Sequence, residues 1–172
     1  MRITVHRGTH EIGGSCVEIE HGGERILLDL GMPLFGKDGK PMDFHAMSRA
    51  TSVDLAGQGI LPRIERIFSH DQAGVPGVLA VFLSHAHADH HGLCEYLRDD
   101  IAIYLGEGTR KLIDLGRLVF GRSPMGGRSR LFTHGVPIDV GPFRVTPILV
   151  DHSVFDSFAF VVEAGGKSVI YT

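Results

Sequence analysis

The sequence predicts an α/β domain in which a mixed sheet carries flanking helices, and three stretches predict it. Residues 78–83 form an unbroken apolar run of strand length, the way a strand buried on both faces reads. Residues 2–6 alternate polar and apolar, and residues 15–20 and 25–30 flank the turn His21-Gly22-Gly23-Glu24, which together read as a strand followed by a hairpin. Residues 106–119 carry Leu112, Ile113, Leu115, Leu118 and Val119 at helical spacing, a stripe expected to face the core.

The chain is organised around the end of the first of these stretches. The apolar run empties through Ser84 into His85-Ala86-His87-Ala88-Asp89-His90-His91, four histidines and one aspartate within seven residues. Alternate residues of an extended segment point the same way, so His85 and His87 project together and Asp89 follows in phase until the chain turns. Imidazole and carboxylate suit zinc, and also iron, manganese or nickel. A structural zinc site would use cysteine, yet Cys94 lies outside the cluster. The pattern therefore favours a functional metal site over a histidine-rich surface loop, and two ligand pairs this close can serve two adjacent ions. His91 breaks the alternation and is read as an exposed spare.

The segment His85-Ala-His87-Ala-Asp89-His90 is similar to the HxHxDH signature of the metallo-β-lactamase superfamily. The resemblance implies a di-metal hydrolase in an αββα sandwich, with His85 and His87 on a first metal and Asp89 and His90 on a second. Glu11-Ile12-Gly13-Gly14 and Ile26-Leu27-Leu28-Asp29-Leu30-Gly31 resemble the opening of RNA-processing members, in which the aspartate matching Asp29 supports the metal site from behind. Read without the family, Asp29 is a carboxylate capping nearby loop amides, and the two roles can coincide. His152-Ser153-Val154-Phe155-Asp156-Ser157 resembles the His-Ser-x-x-x-Ser segment of ribonuclease J-type enzymes. It makes His152, delivered by a second strand end, the third ligand of the first metal, and Ser153 and Ser157 donors to a substrate phosphate.

The rest of the chain is read in order. His10 and Glu11 lie in a glycine-rich loop that can face the site. Residues 32–63 are long and irregular, a functional or mobile type of segment, with a short helix expected over residues 44–50. Residues 64–68 read as a brief edge strand and His70-Asp71 as a solvated turn. Residues 92–98 read as a helix whose amino terminus faces the site and favours an anion. Residues 101–105 are a buried strand. Residues 120–130 are a flexible loop, and between Arg110 and Arg130 six basic residues face Asp114 alone, a cluster that either neutralises phosphates or is simply a solvated surface. His134 is structural. Residues 136–140, 143–150, 158–163 and 168–172 are strands.

Composition sets the bounds. The 172 residues suffice for one domain with a sizeable core. The net charge of −3 offers nucleic acid no strong attraction by the chain as a whole. The two cysteines, Cys16 and Cys94, form no CxxC pair, so reduced, buried thiols are expected. No stretch approaches the roughly 18 apolar residues of a membrane span, and no signal peptide opens the chain, which favours the cytoplasm.

In the family, the strand matching residues 168–172 is followed at once by an aspartate that bridges both metals. The resemblance therefore assigns residues 1–172 to the amino-terminal portion of the domain, with its second half absent. On that reading His85, His87 and His152 hold one ion with an open position, while Asp89 and His90 hold a second weakly. The face left uncovered, or the open edge of the last strand, then leads to self-association. Three functions stay open. The first is a zinc-dependent phosphodiesterase with one or two ions, manganese or iron being alternatives. It acts on RNA or another phosphodiester, with Asp89 orienting the attacking water. The second is a small-molecule hydrolase of thioesters, lactones or sulfate esters. The third is a non-catalytic assembly module.

Overall fold

The computed structural model describes residues 1–36, 38–47 and 49–172. Two sheets pack face to face. The first runs β1 (Arg2–Arg7), β2 (Cys16–His21), β3 (Glu24–Leu28), β4 (Ala80–Phe82), β5 (Ala102–Leu105) and β6 (Ser129–Leu131), side by side in chain order. Its first three strands are antiparallel, and β3 to β6 are parallel. The mixed sheet follows from the sequence. Gly22 and Gly23 both take positive φ, as a two-residue hairpin turn demands. Each later strand is instead reached by a crossover that contains helix: α1 (Phe44–Met47) and α2 (Ser52–Gly57), then α3 (Ala88–His91), then α4 (Glu107–Val119). The second sheet is the antiparallel meander β7 (Ile138–Val140), β8 (Phe143–Val150), β9 (Ser157–Ala164) and β10 (Lys167–Tyr171).

The central strands are buried on both faces, as their continuous apolar runs require. In β4 and just after it, Val81 and Leu83 join Leu27 of β3 and Ile103 of β5 in the core beneath the helices. Ala80 and Phe82 join Ile26 and Leu28 between the sheets, where Phe143, Phe158, Phe160 and Val162 of the second sheet meet them. Phe82 stacks on Tyr104 and meets Phe160 edge-on, with ring centroids 4.7 and 5.9 Å apart. The outer face of the second sheet carries Val161, Ile148 and Ile170, the last 67% exposed. No helix among the described residues is long and apolar enough to cross a membrane.

Several expectations are corrected. Residues 64–68 form no strand; a single bridge pairs Phe68 with Leu97, and Arg66 at φ 58° breaks the extended run. Of the helix expected over residues 44–50, α1 covers Phe44–Met47, and Ser48 lies outside the described residues. The helix α2 was missed, although its start is written in the sequence. Thr51 caps the Asp54 amide, and the Asp54 carboxylate returns to the Thr51 amide. The helix expected over residues 92–98 is instead α3 followed by a 3₁₀ turn, Cys94–Tyr96. The candidate ligands Asp89 and His90 thus lie within the helical turn, which has only four residues. A short strand, β6, ends the loop expected over residues 120–130. The apolar stripe of α4 is not core throughout: Ile113 is buried, but Leu115, Leu118 and Val119 are exposed. Cys16 and Cys94 are both buried free thiols.

Candidate metal centre

The site is built outward from one buried carboxylate. Asp29 follows β3, is fully buried and holds φ 58°, a left-handed conformation that aspartate tolerates better than most residues. Its amide donates to the Phe82 carbonyl at 2.9 Å, which fixes it beside the end of β4. Oδ1 accepts the Ser84 amide at 2.7 Å. Oδ2 accepts the Ser84 hydroxyl, His90 Nδ1 and the Tyr171 hydroxyl, each at 2.7 Å. The carboxylate that caps the loop at Ser84 is thus the same one that holds His90, a candidate ligand.

That arrangement decides the histidine tautomers. Ser84 has one hydroxyl proton and gives it to Asp29, so its oxygen accepts from His85 Nδ1 at 2.9 Å. The proton of His85 therefore sits on Nδ1 and the lone pair on Nε2. That Nε2 is buried and has no hydrogen-bond partner among the described residues. In the same way His90 donates from Nδ1 to Asp29 and turns its Nε2 toward Asp89, 3.8 Å from Oδ2. The other rings gather on His85, with centroids at 3.9 Å for His90, 4.9 Å for His87 and 5.0 Å for His152. His87 and His152 are exposed at the rim, and the Ser153 hydroxyl lies 3.4 Å from His87 Nδ1.

Two close backbone approaches hold this cluster. The Asp89 carbonyl accepts the Ser15 amide at 3.0 Å, and Leu30 and Met32 donate to the carbonyls of His90 and Ala88 at 2.9 and 3.0 Å. On the opposite rim, Asp156 docks the His152 loop on α4. Its carboxylate accepts the Thr109 amide at 2.7 Å, and its carbonyl accepts the Thr109 hydroxyl at 2.7 Å. Asp156 occupies the space that side chains at Gly106 and Gly108 would need. A glycine at each position is what lets the loop seat.

Among the described residues, no group of three or more His, Cys, Asp or Glu side chains stands ready-formed around an ion. The donor chemistry nonetheless fits one. A partnerless imidazole lone pair is buried at the centre of three further imidazoles, with a carboxylate alongside. Ser157 is buried, and its hydroxyl donates to the Val154 carbonyl at 2.7 Å, which makes it part of the loop's own framework rather than a group turned to a substrate. Glu11 is engaged by Arg7, and His10 stands exposed in its loop. His134 accepts the Leu149 amide at 3.0 Å, a structural role as expected. His91 is not an exposed spare: it is partly buried and lines a cavity behind the loop.

The basic stretch between Arg110 and Arg130 is largely matched within the fold. Arg110 pairs with Asp114, Lys111 with Glu107, Arg117 and Arg122 with Glu95, and Arg128 with Asp99. Sequence reading missed Ser84, Tyr171 and Asp156. Only Ser84 carried a signal, since it sits between the strand and the first histidine.

Burial, then the neighbouring His90, holds the His85 pKa down to about 4, and burial holds His91 at about 4 as well. Burial opposes protonation of His90, but the hydrogen bond and charge of Asp29 outweigh it and raise the pKa. Between the ordinary value of 6.5 and about 4, the unfolded chain binds protons that folded His85 and His91 refuse. Stability from these two residues is therefore complete above that window and falls as pH falls through it. Urea unfolding of the metal-free chain is expected to show its midpoint dropping from pH 7 to pH 4.5. A midpoint that rises on acidification would contradict the assignment.

A family profile described as "Beta-lactamase superfamily domain" matches residues 50–172. Ribonuclease J of Helicobacter pylori (strain ATCC 700392 / 26695) is 27% identical over 175 aligned residues, covering 100% of this chain and 22% of that protein. The chain thus spans roughly a quarter of the length of the curated relatives it matches over its whole length. A crystal structure of a protein of unknown function from Enterococcus faecalis V583 superposes with TM-score 0.78 at 22% identity, covering 99% of this chain and 42% of that one. A metallo-β-lactamase from Cronobacter sakazakii superposes with TM-score 0.57 at 16% identity, over 93% and 57%. With the αββ layering and the HxHxDH loop in place, the chain has the metallo-β-lactamase fold and belongs to the beta-lactamase superfamily.

Proposed function

We propose that this chain carries the histidine ligands of a metal-dependent phosphodiesterase that acts on RNA. The observation that supports it is the buried, partnerless Nε2 of His85 at the centre of the His87, His90 and His152 rings. His85, His87 and His152 would hold one ion and Asp89 with His90 a second. The nitrogen and oxygen donors suit zinc first and accept manganese or iron. Bound there, such an ion supplies an activated water and stabilises the charge that develops on phosphorus.

The chain's own residues do the positioning. Asp29 and Ser84 fix both tautomers, so that Nε2 of His85 and of His90 arrive as lone pairs. The carboxylate of Asp89, 3.8 Å from His90 Nε2, would orient the attacking water. Ser153 sits on the exposed rim beside His87, where it can donate to a phosphate oxygen. The likeness to ribonuclease J along the whole chain favours RNA over small esters. The basic stretch adds little, because its charges are paired within the fold. A small-molecule hydrolase would use the same ligands on a thioester, lactone or sulfate ester.

Elemental analysis after zinc loading and dialysis tests the site. About one zinc per chain or more is expected, as three histidines with an open position would hold, and most of it should be lost in His152→Ala. Absence of zinc from the wild type would refute the site. Cleavage of 5′-labelled single-stranded RNA, compared with hydrolysis of a thioester and a lactone, separates the substrate classes. The outer face around Ile148, Val161 and Ile170 is where two copies would meet. Light scattering is expected to give a mass above the monomer's, and a monomer at high concentration would refute that contact.

A further inference from the structure

A cavity of about 270 Å³ lies behind the metal loop. Ala86 and Ala88 line it; they alternate along the chain with His85, His87 and Asp89, so this wall is the reverse face of the candidate centre. The facing wall is α4, through Leu112, Ile113 and Gly116, and Met32, Phe120 and Met125 complete the apolar part. The polar part holds three guanidiniums, Arg117, Arg122 and Arg128, one carboxylate, Glu95, and the imidazole of His91.

Two features mark the cavity as more than a packing fault. The first is Gly116. It stands inside a 13-residue helix, where glycine is costly relative to alanine. Gly106 and Gly108 are explained by the Asp156 loop, but a Cβ on Gly116 would meet nothing within 4 Å. Neither φ nor crowding requires glycine there, and its effect is to leave the cavity open. The second is charge. Arg117 and Arg122 both turn to Oε2 of Glu95, and the carboxylate paired with Arg128, Asp99, stands fully in solvent. Even with these pairs, three guanidiniums face a single lining carboxylate around a half-open, largely apolar pocket. Burial and the neighbouring charge of Arg128 work against the protonated form of Arg117 and outweigh the support it has from Asp114, and an anion would relieve that opposition.

We propose that this cavity binds a small amphiphilic monoanion, an apolar body carrying one carboxylate, with the body against Leu112, Gly116 and Met125 and the carboxylate at the arginines. A guanidinium meets a carboxylate through paired N–H donors. The volume falls just below that of drug-sized pockets, so the ligand is correspondingly small. Glu95 in the same wall selects a single negative charge over a double one. Because Ala86 and Ala88 are shared walls, an occupied cavity bears directly on the loop that presents the histidines. The inference rests on cavity geometry and charge, not on the reaction proposed above.

The test uses the full chain labelled with ¹³C at the methionine methyls, hexanoate as probe and hexanamide as its neutral counterpart. Saturable shifts of the Met32 and Met125 signals are expected with hexanoate, with Met1 unmoved. Hexanamide is expected to bind about tenfold more weakly, the loss of one charged hydrogen-bonding partner. Gly116→Leu fills the space and should abolish the shifts without lowering Tm. Arg117→Gln should weaken hexanoate several-fold and leave hexanamide unchanged. Absence of a saturable shift up to the solubility limit, equal affinity for the two probes, or undiminished binding by Gly116→Leu would each overturn the proposal. RNA cleavage and zinc content are read separately, so their failure leaves this result standing.

Discussion

Asp29→Ala is expected to destabilise the chain by about 3–5 kcal/mol, the cost of breaking a buried charged network from one side. The Ser84 amide, His90 Nδ1 and the Tyr171 hydroxyl would each lose their acceptor in the interior. Alanine would also have to hold φ 58°, which is unfavourable for it. Asp29→Asn separates structure from site. Asparagine tolerates that φ, and its oxygen must face the Ser84 amide. Its NH2 group then stands where Oδ2 was, facing His90 Nδ1. His90 has to accept there, which moves its proton to Nε2 and closes that nitrogen as a ligand. Zinc affinity is expected to fall about 10–100-fold, as for other residues that orient a ligand from behind, with the fold retained. Nitrogen NMR of His90 would report the tautomer. An Asn variant with wild-type affinity and the Nδ1–H tautomer would sink this account.

Gly31→Ala is the second large effect. A Cβ on Gly31 would lie 1.6 Å from the Asp89 carbonyl oxygen and 2.8 Å from the Ser15 amide nitrogen. Neither atom can yield easily, because that carbonyl accepts the Ser15 amide and Leu30 and Met32 bond the residues on either side of Asp89. The loop bearing Asp89 and His90 must move, at a cost of about 3 kcal/mol from overpacking. Urea unfolding is expected to show that loss together with weaker zinc binding. Gly57→Ala, where a Cβ meets nothing within 4 Å, is the control and should change stability by less than about 0.5 kcal/mol. Equal behaviour of the two variants would contradict the close approach.

Much of this was legible along the chain because its physical causes are local. The uniform apolar run of residues 78–83 announced a strand buried on both faces, and Val81 and Phe82 do fall in opposite cores. The Gly22-Gly23 turn announced a hairpin. The candidate ligands His85, His87 and Asp89 follow from alternation after a strand, His90 from the HxHxDH resemblance, and His152 from a second strand end. Where reading failed, the cause was not local. The α4 stripe has helical spacing, but spacing does not say whether a neighbour covers it, and Leu115 and Leu118 are exposed. Ser157 has the chemistry of a phosphate donor, yet its hydroxyl is taken by Val154. The six cations of the basic stretch look opposed by Asp114 alone until Glu95 and Asp99 are folded beside three of them.

The sequence by itself determined the α/β class, the hairpin and which side chains are candidate metal ligands, because each depends on residue type and short-range spacing. Only the tertiary structure decided which nitrogens of His85 and His90 carry lone pairs. That depends on Asp29 meeting Ser84 across 55 residues and Tyr171 across 142. No periodicity records such contacts, since a buried carboxylate takes its donors from whichever strands the packing of two sheets brings to its oxygens.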